Sequence, residues 1–217
     1  MDTREILSHV DHTLLKPEAT KQQIIKLCRE ALEYNTASVC INPRYIPLAV
    51  SILGDKIPVC TVIGFPLGAM SLEAKVFEAK DAVAKGAKEI DMVISVGDVK
   101  DGKFDAIEAE IKSVKNAVGN LILKVIIETC LLTDDEKRRL CHVVTDAGAD
   151  YIKTSTGFST GGATPHDIKL FASELNGRIK IKAAGGIKTR EDMELFLNLG
   201  ADRLGSSSAF KILTEDK

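Results

Sequence analysis

The stretch DDEKRRLCHVVTDAGADYIKTSTG, residues 134–157, joins two patterns across one glycine. Its first half follows Thr133, carries acidic residues in its first turn and has helical spacing, as expected of a capped helix. Gly148 stands where that helix must stop, and the run from Tyr151 to Gly157 has the short, β-branched character of a strand. The stretch therefore predicts a helix that leads directly into a strand.

The same connection recurs along the chain, as Lys85-Gly86-Ala87, Ala147-Gly148-Ala149-Asp150 and Leu199-Gly200-Ala201-Asp202. Helical windows with apolar periodicity alternate with strand-like runs from end to end. Candidate N-cap residues precede five of these windows: Thr20, Ser71, Thr133, Thr164 and Thr189. The windows are Lys21 to Tyr34, Leu72 to Lys85, Phe104 to Val118, Asp134 to Ala147, Pro165 to Leu175 and Arg190 to Leu199.

Eight strand-like runs lie around and between these helices. Recurrent β/α units with right-handed crossovers close into a barrel when eight are present, so we expect a single (β/α)8 TIM barrel over residues 1–217. A doubly wound open sheet is the alternative. The runs are His9 to Leu15, Ala37 to Asn42, Pro58 to Gly64, Glu89 to Ser95, Leu121 to Thr129, Tyr151 to Gly157, Ile179 to Gly186 and Arg203 to Ser207.

Composition restricts the class of protein. Of the 217 residues 45% are hydrophobic and 28% charged, which is ordinary for a globular chain with a sizeable core. A net charge of −2 offers no basic face for nucleic acid or an anionic membrane, so an anionic ligand would need a local site. Five widely spaced cysteines without a C-x-x-C pair predict free thiols, and residues 1–10 carry charges in place of an apolar signal core. We expect a cytoplasmic protein.

Charged residues inside otherwise apolar strands need a reason, because burying an unpaired charge is costly. Four such residues are Asp11, Asp91, Lys153 and Lys182, and the carboxyl ends of barrel strands are where catalytic side chains converge. The alternative interpretation is that the lysines lean out between helices, or pair with Glu89 in a buried ion network.

The sequence around both lysines is distinctive: Lys153-Thr154-Ser155-Thr156-Gly157-Phe158 and Lys182-Ala183-Ala184-Gly185-Gly186-Ile187. These segments resemble the Schiff-base strand and the second-lysine strand of the deoxyribose-phosphate aldolase family. Further matches are Val10 to Leu15, Val39 to Arg44, Glu89 to Val93 and Lys124 to Thr129, so the resemblance covers nearly the whole chain. It implies that Lys153 is the Schiff-base nucleophile and that Asp91 and Lys182 are its proton-transfer partners.

The implied chemistry requires a neutral amine, because an ordinary lysine, with a pKa of about 10.4, is protonated at neutral pH. A neighbouring ammonium such as Lys182, together with desolvation, favours the neutral form. No metal or cofactor is needed, and none is expected. His9 and His12 are three apart on a strand and face opposite ways, while His142 and His166 lie in helical windows without a ligand partner.

A phosphate site is also expected. Gly185-Gly186 follows the seventh strand, and Gly205 to Ser208 ends the eighth, ahead of a short terminal helix beginning near Ala209. The resemblance adds Ser207 and Ser208 as phosphate contacts, and we place Asp11, Thr13, Cys40 and Gly157 near the substrate. Cys40 could equally be a small core residue.

Two departures from the family weaken this expectation. Some members carry a lysine where this chain has Phe158, and some end in a tyrosine-bearing tail, whereas the last tyrosine here is Tyr151. Phosphate binding should then rest more on backbone amides and serines.

Three other functions remain open at this point. A different Schiff-base barrel aldolase would use a ketose donor, and a phosphosugar isomerase or epimerase would need the phosphate site but not Lys153. A non-catalytic sugar-phosphate binding protein has no positive support, since paired strand lysines would be costly there. Small barrels of this kind commonly associate, so we expect a homo-oligomer, a dimer or a tetramer.

Overall fold

The computed structural model of the chain describes residues 1–214. Eight parallel strands close into one barrel in the order β1 to β8, with β8 hydrogen-bonded back to β1. The open-sheet alternative is therefore wrong and the (β/α)8 expectation is confirmed. The strands are β1 Val10–Leu14, β2 Ser38–Ile41, β3 Val59–Ile63, β4 Glu89–Val93, β5 Ile122–Ile126, β6 Tyr151–Lys153, β7 Lys180–Ala184 and β8 Arg203–Ser206.

Ten helices surround the barrel. The sequence pattern predicted six of them as helical windows and α10 as a short terminal helix, and it did not predict α1, α3 and α5, which have only five, eight and five residues. The helices are α1 Thr3–Leu7, α2 Lys21–Tyr34, α3 Ile46–Leu53, α4 Leu72–Ala84, α5 Val96–Lys100, α6 Phe104–Val118, α7 Asp134–Asp146, α8 Pro165–Leu175, α9 Arg190–Asn198 and α10 Ala209–Thr214. No helix among residues 1–214 is both long and apolar enough to cross a bilayer.

The predicted helix boundaries are confirmed at both ends. All five candidate caps accept a hydrogen bond from a backbone N–H in the first turn of their helix, namely Thr20, Ser71, Thr133, Thr164 and Thr189. Gly148 follows α7 with a φ of +80°, a conformation that glycine adopts without strain. Local sequence therefore fixes where each β/α unit turns.

The core has two unequal parts. A large apolar cluster fills the space between the outer face of the strands and the helices, and it includes Val39, Ile90 and Phe171. Inside the barrel the apolar cluster is small, with Leu15, Cys40, Cys60 and Val62 packed against Phe65. Charged side chains occupy much of the remaining interior, which sets this barrel apart from one filled by layers of aliphatic residues.

We predict that Thr133→Ala lowers the free energy of unfolding by about 1 kcal/mol. Thr133 forms a capping box in which its side chain accepts from the Glu136 N–H and Glu136 accepts from the Thr133 N–H. Urea denaturation measures the change. Thr133→Ser keeps the hydroxyl and should be near neutral, so an equal loss in both variants would contradict the capping role.

Candidate active site

The interior of the barrel holds seven charged side chains in mutual contact. Adjacent strands bring them to similar heights, since Asp91 is in register with Lys124, and Lys153 with Lys182, which is in register with Arg203. All are buried except Arg203, which is nearly so. Such a set is tolerated only if every charge is paired. The members are Asp11, Glu89, Asp91, Lys124, Lys153, Lys182 and Arg203.

Asp91 is the centre of this network. Its Oδ2 accepts hydrogen bonds from Nζ of both Lys153 and Lys182, each at 2.7 Å. Its Oδ1 accepts from Lys124 Nζ at 2.9 Å and from the Cys60 thiol at 3.2 Å. Burial alone would raise the pKa of Asp91, but the three ammonium groups outweigh burial and hold that pKa well below its usual range. Asp91 is thus ionised at neutral pH, and three lysines share its charge.

Lys124 and Lys182 each contact more carboxylates than Lys153 does. Lys182 contacts both Asp11 and Asp91, and Lys124 contacts Glu89 at 2.5 Å as well as Asp11 and Asp91. Burial opposes their charge, yet these carboxylates raise the pKa of both lysines above the ordinary value. Both therefore stay protonated at neutral pH. The two interpretations of the strand lysines therefore both hold in part. The lysines point into the barrel, and they are paired there within a buried ion network.

Lys153 differs from the other two because its ammonium contacts one carboxylate oxygen, and it shares that oxygen with Lys182. The network contains four cationic groups but only three carboxylates. One positive charge is therefore in excess. Lys153 has the weakest ion pairing of the three lysines, since Lys124 and Lys182 each have at least two carboxylate partners.

A cavity of about 330 Å3 opens above Lys153 at the carboxyl ends of the strands. Six of the predicted substrate residues line it, and the other three do not. Asp11 lies beneath it in the ion network, Cys40 belongs to the small apolar cluster, and Ser208 is outside the lining. The six lining residues are Thr13, Gly157, Gly185, Gly186, Gly205 and Ser207.

Two glycines of the lining are required by close packing. A Cβ on Gly205 would lie 2.9 Å from Ala184 Cβ and 3.1 Å from Lys182 Cε, so a side chain there would displace Lys182. Gly185 has a φ of +79°, which favours glycine, and a Cβ on it would lie 3.1 Å from the Gly162 Cα. These glycines bring backbone to the cavity wall, where its amides can face a ligand.

Four residues that sequence reasoning did not single out belong to the site. Lys124 was quoted only as part of a family motif, although as a charge within an apolar strand it met the same criterion as Lys153. Arg203 begins β8, where a charge looks like an ordinary strand end, and it binds Asp11 and Glu89. Cys60 carries no sequence signal. Ser206, not Ser208, lines the cavity, and its Oγ accepts from the Ser208 and Ala209 N–H groups at 3.2 and 3.1 Å.

Lys16 also lines the cavity, and there it is the one cationic residue besides Lys153 among the described residues. Its side chain is 72% exposed and its nearest carboxylate, Glu18, is 4.0 Å away. The backbone beneath it is held in place, because the Lys16 carbonyl accepts from Asn42 Nδ2 at 3.3 Å. The Lys16 ammonium is therefore exposed at the cavity rim, while its backbone is held by a hydrogen bond.

Histidine positions bear on the expectation that no metal is bound. His12 pairs with Glu30 at 2.7 Å and His166 with Asp134 at 2.7 Å, so each forms a pair with one carboxylate. Cysteine and carboxylate donors do approach one another around Cys60, but their carboxylates already accept from lysine or arginine. A cation would have to displace those partners. The absence of a metal remains a prediction.

Comparison with known proteins identifies the family. A family model described as DeoC/LacD family aldolase matches residues 6–203. The chain belongs to this aldolase family. A deoxyribose-phosphate aldolase of Clostridium botulinum strain Eklund 17B is 58% identical over 98% of this chain and 96% of its own length. One from Clostridium perfringens strain 13 is 54% identical over the same shares of the two chains.

Solved structures agree with this membership. An aldolase called QR15 superposes with a TM-score of 0.93 at 38% identity, covering 97% of this chain and 95% of its own. A deoxyribose phosphate aldolase from Aeropyrum pernix, described as having a unique tetrameric structure, gives a TM-score of 0.89 at 33% identity over 98% and 91%. The chain is therefore a carbon–carbon lyase, and the isomerase and binding-protein alternatives are set aside.

We predict that Lys124→Met lowers the stability of this aldolase by about 3 to 5 kcal/mol, because Glu89 and Asp91 each lose a buried cationic partner. Urea unfolding provides the measurement. Lys88→Met, one residue before β4 and exposed, is the matched control and should change little. Adding Glu89→Gln to Lys124→Met should recover part of the loss; equal stability of wild type and Lys124→Met would show that the network is not coupled in this way.

Proposed function

We propose that this aldolase reversibly cleaves 2-deoxy-D-ribose 5-phosphate to D-glyceraldehyde 3-phosphate and acetaldehyde, through a Schiff base on Lys153. The observation that carries the proposal is the position of Lys153, whose amine is the least paired of the buried cations and faces a cavity of sugar-phosphate size. The names of relatives at 54% and 58% identity support the choice of substrate.

The reaction begins with attack of the neutral Lys153 amine on C1 of the open-chain sugar. Loss of water gives an iminium ion, which withdraws electrons from the C2–C3 bond. Deprotonation of the C3 hydroxyl then breaks that bond, releasing glyceraldehyde 3-phosphate and leaving its electron pair as an enamine. Protonation of the enamine at C2 and hydrolysis of the resulting iminium release acetaldehyde and restore Lys153.

Asp91 and Lys182 serve the proton transfers of this cycle. Asp91 Oδ2 is 2.7 Å from both amines, so it can pass a proton between Lys153 and the rest of the network through small movements. Lys182 stays charged because Asp11 and Asp91 raise its pKa. Its fixed positive charge beside Lys153 disfavours a second ammonium at the nucleophile.

The phosphate group is held by the glycine-rich wall of the cavity. Gly185, Gly186 and Gly205 line the cavity together with Ser207. Lys16, at the rim, supplies a mobile positive charge in place of the lysine that some family members carry at position 158. Recognition then combines neutral donors with one exposed cation.

We further infer a homo-oligomer in the cytoplasm. The relative from Aeropyrum pernix is described as tetrameric, and Phe77 on α4 is 71% exposed and available for a subunit contact. All five cysteines are free thiols, which fits a reducing compartment. Light scattering of the purified protein reports its mass in solution.

We predict that borohydride reduction in the presence of acetaldehyde adds a two-carbon group to Lys153, and that Lys153→Ala abolishes turnover. Peptide mass spectrometry locates the adduct. Lys180→Ala is the matched control, since Lys180 lies exposed on the neighbouring strand and should be dispensable. An adduct on another lysine would overturn the assignment, and an adduct formed with ketoses but not with acetaldehyde would instead favour a ketose-donor aldolase.

A second prediction concerns phosphate. Phe158→Lys should raise the ratio of kcat/KM for 2-deoxyribose 5-phosphate over that for 2-deoxyribose, through a charge-assisted contact worth about 1.5 to 3 kcal/mol when partly desolvated. Lys16→Gln and Ser207→Ala should lower the ratio, Lys16→Gln by only a few-fold because its side chain is largely exposed.

The charge effects should shrink with added salt, whereas that of Ser207→Ala should persist. Efficiency with the unphosphorylated sugar is the internal control, because it lacks the group that these residues contact. A ratio unchanged in all three variants would place the phosphate elsewhere.

A further inference from the structure

Glu128, just after β5, has an unusual backbone and an unusual environment. Its φ of 56° and ψ of 65° place it in the left-handed region, and the only other non-glycine residues with positive φ among residues 1–214 are Asn35 and Asn176. Asparagine tolerates this region far better than glutamate does. Glu128 is also only 3% exposed. A strained, buried carboxylate beside a catalytic cavity points to a functional constraint.

The carboxylate of Glu128 makes no salt bridge with any residue of the described chain; its partners are hydrogen-bond donors of Thr156. It accepts from the Thr156 N–H at 3.2 Å and from the Thr156 hydroxyl at 2.5 Å. The Thr156 Oγ1 accepts in turn from the Phe158 N–H at 3.0 Å. Because the hydroxyl proton is committed to Glu128, its lone pair is free for Phe158. One carboxylate thereby fixes three consecutive residues.

These three residues form a wall between two cavities. Thr156 and Phe158 line both the polar cavity above Lys153 and a smaller one of about 120 Å3, whose other lining is mainly apolar and includes Val93 and Leu131. Phe158 packs edge-to-face on Phe65, with ring centroids 5.2 Å apart. The segment from Thr156 to Phe158, which we term the dividing segment, thus bounds the space in which the sugar must be held.

We propose that Glu128 is a positioning residue for the aldol reaction, acting through Thr156 to hold the dividing segment in the arrangement that binds the aldehyde acceptor. The inference rests on the proposed function. Thr156 is the residue that faces the substrate, and Glu128 determines where Thr156 and Phe158 stand. The left-handed strain at Glu128 is retained because a longer side chain than asparagine is needed to reach Thr156.

Loss of these hydrogen bonds should weaken binding of substrates that extend along the cavity. A displacement of the wall reduces the fraction of molecules that hold the sugar phosphate correctly, so KM should rise more than kcat falls. A two-carbon donor attached to Lys153 does not reach along the cavity and should be unaffected. This separates positioning of the acceptor from any disturbance of the nucleophile.

The test uses Glu128→Asn as its main variant, because asparagine suits the left-handed backbone and should fold at least as well as wild type, yet is too short to reach Thr156. Glu128→Gln keeps the length and one acceptor oxygen, and should lie between wild type and Glu128→Asn. Thr156→Val removes the hydroxyl, and combining it with Glu128→Asn should add less than the product of the two effects.

We expect Glu128→Asn to raise KM for 2-deoxyribose 5-phosphate about tenfold or more, as for loss of hydrogen bonds to a charged acceptor. Its melting temperature should not fall, and the rate of the acetaldehyde adduct at Lys153 should match wild type. A wild-type KM, or adduct formation that falls in proportion to the sugar-phosphate activity, would overturn the proposal. Failure of the proposed function is a separate result, seen as no acetaldehyde adduct in the wild-type enzyme.

Discussion

The cost of placing seven charges inside a β-barrel governs this molecule. A lone charge in such an interior is prohibitively desolvated, so each side chain must meet a partner of opposite sign with good geometry. Strand register provides that geometry: Asp91 is in register with Lys124, and Lys182 with Arg203. Gly205, where any side chain would press on Lys182, shows that even the neighbouring backbone is adapted to the network.

The same network leaves one lysine amine less paired than the others. With four cations and three carboxylates, a fully ionised interior would carry a net positive charge, and the Cys60 thiol cannot balance it, because burial and the neighbouring groups raise its pKa well above the ordinary value. The least paired cation of the network is Lys153, which shares its single carboxylate oxygen with Lys182. On the proposed function, structural pairing and the activation of Lys153 are therefore two consequences of one arrangement.

The fold could be predicted from the sequence because each β/α unit carries its own helix-capping residues and helix-ending glycines. Thr133, Gly148 and their equivalents act locally, so their roles were legible without any tertiary contact. The family motif indicated Lys153, Asp91 and Lys182, and the geometry brings them together, although their catalytic roles remain predictions. Arg203, Cys60 and Glu128 were not singled out, because their contributions depend on contacts between strands. The family resemblance indicated Ser207 and Ser208, whereas Ser206 and Ser207 line the cavity, because a linear pattern does not tell which serines turn toward it.

Phe158 departs from the lysine that some family members carry, and this changes which residues hold the dividing segment and which supply positive charge. Its ring packs on Phe65 and borders the apolar cavity that includes Pro66 and Leu67, so an ammonium at this position would exchange that apolar contact for a fixed charge. With phenylalanine there, the dividing segment is held by packing on one side and by Glu128 on the other. On the proposed function, the positive charge for phosphate can then come from Lys16, which follows β1, lines the cavity and is largely exposed. A mobile, screened cation contributes less binding energy than a buried one, but it also perturbs the finely matched charges around Asp91 less. On the proposed function, the fixed charges serve the chemistry at Lys153, and the phosphate is bound mainly by backbone amides and a serine.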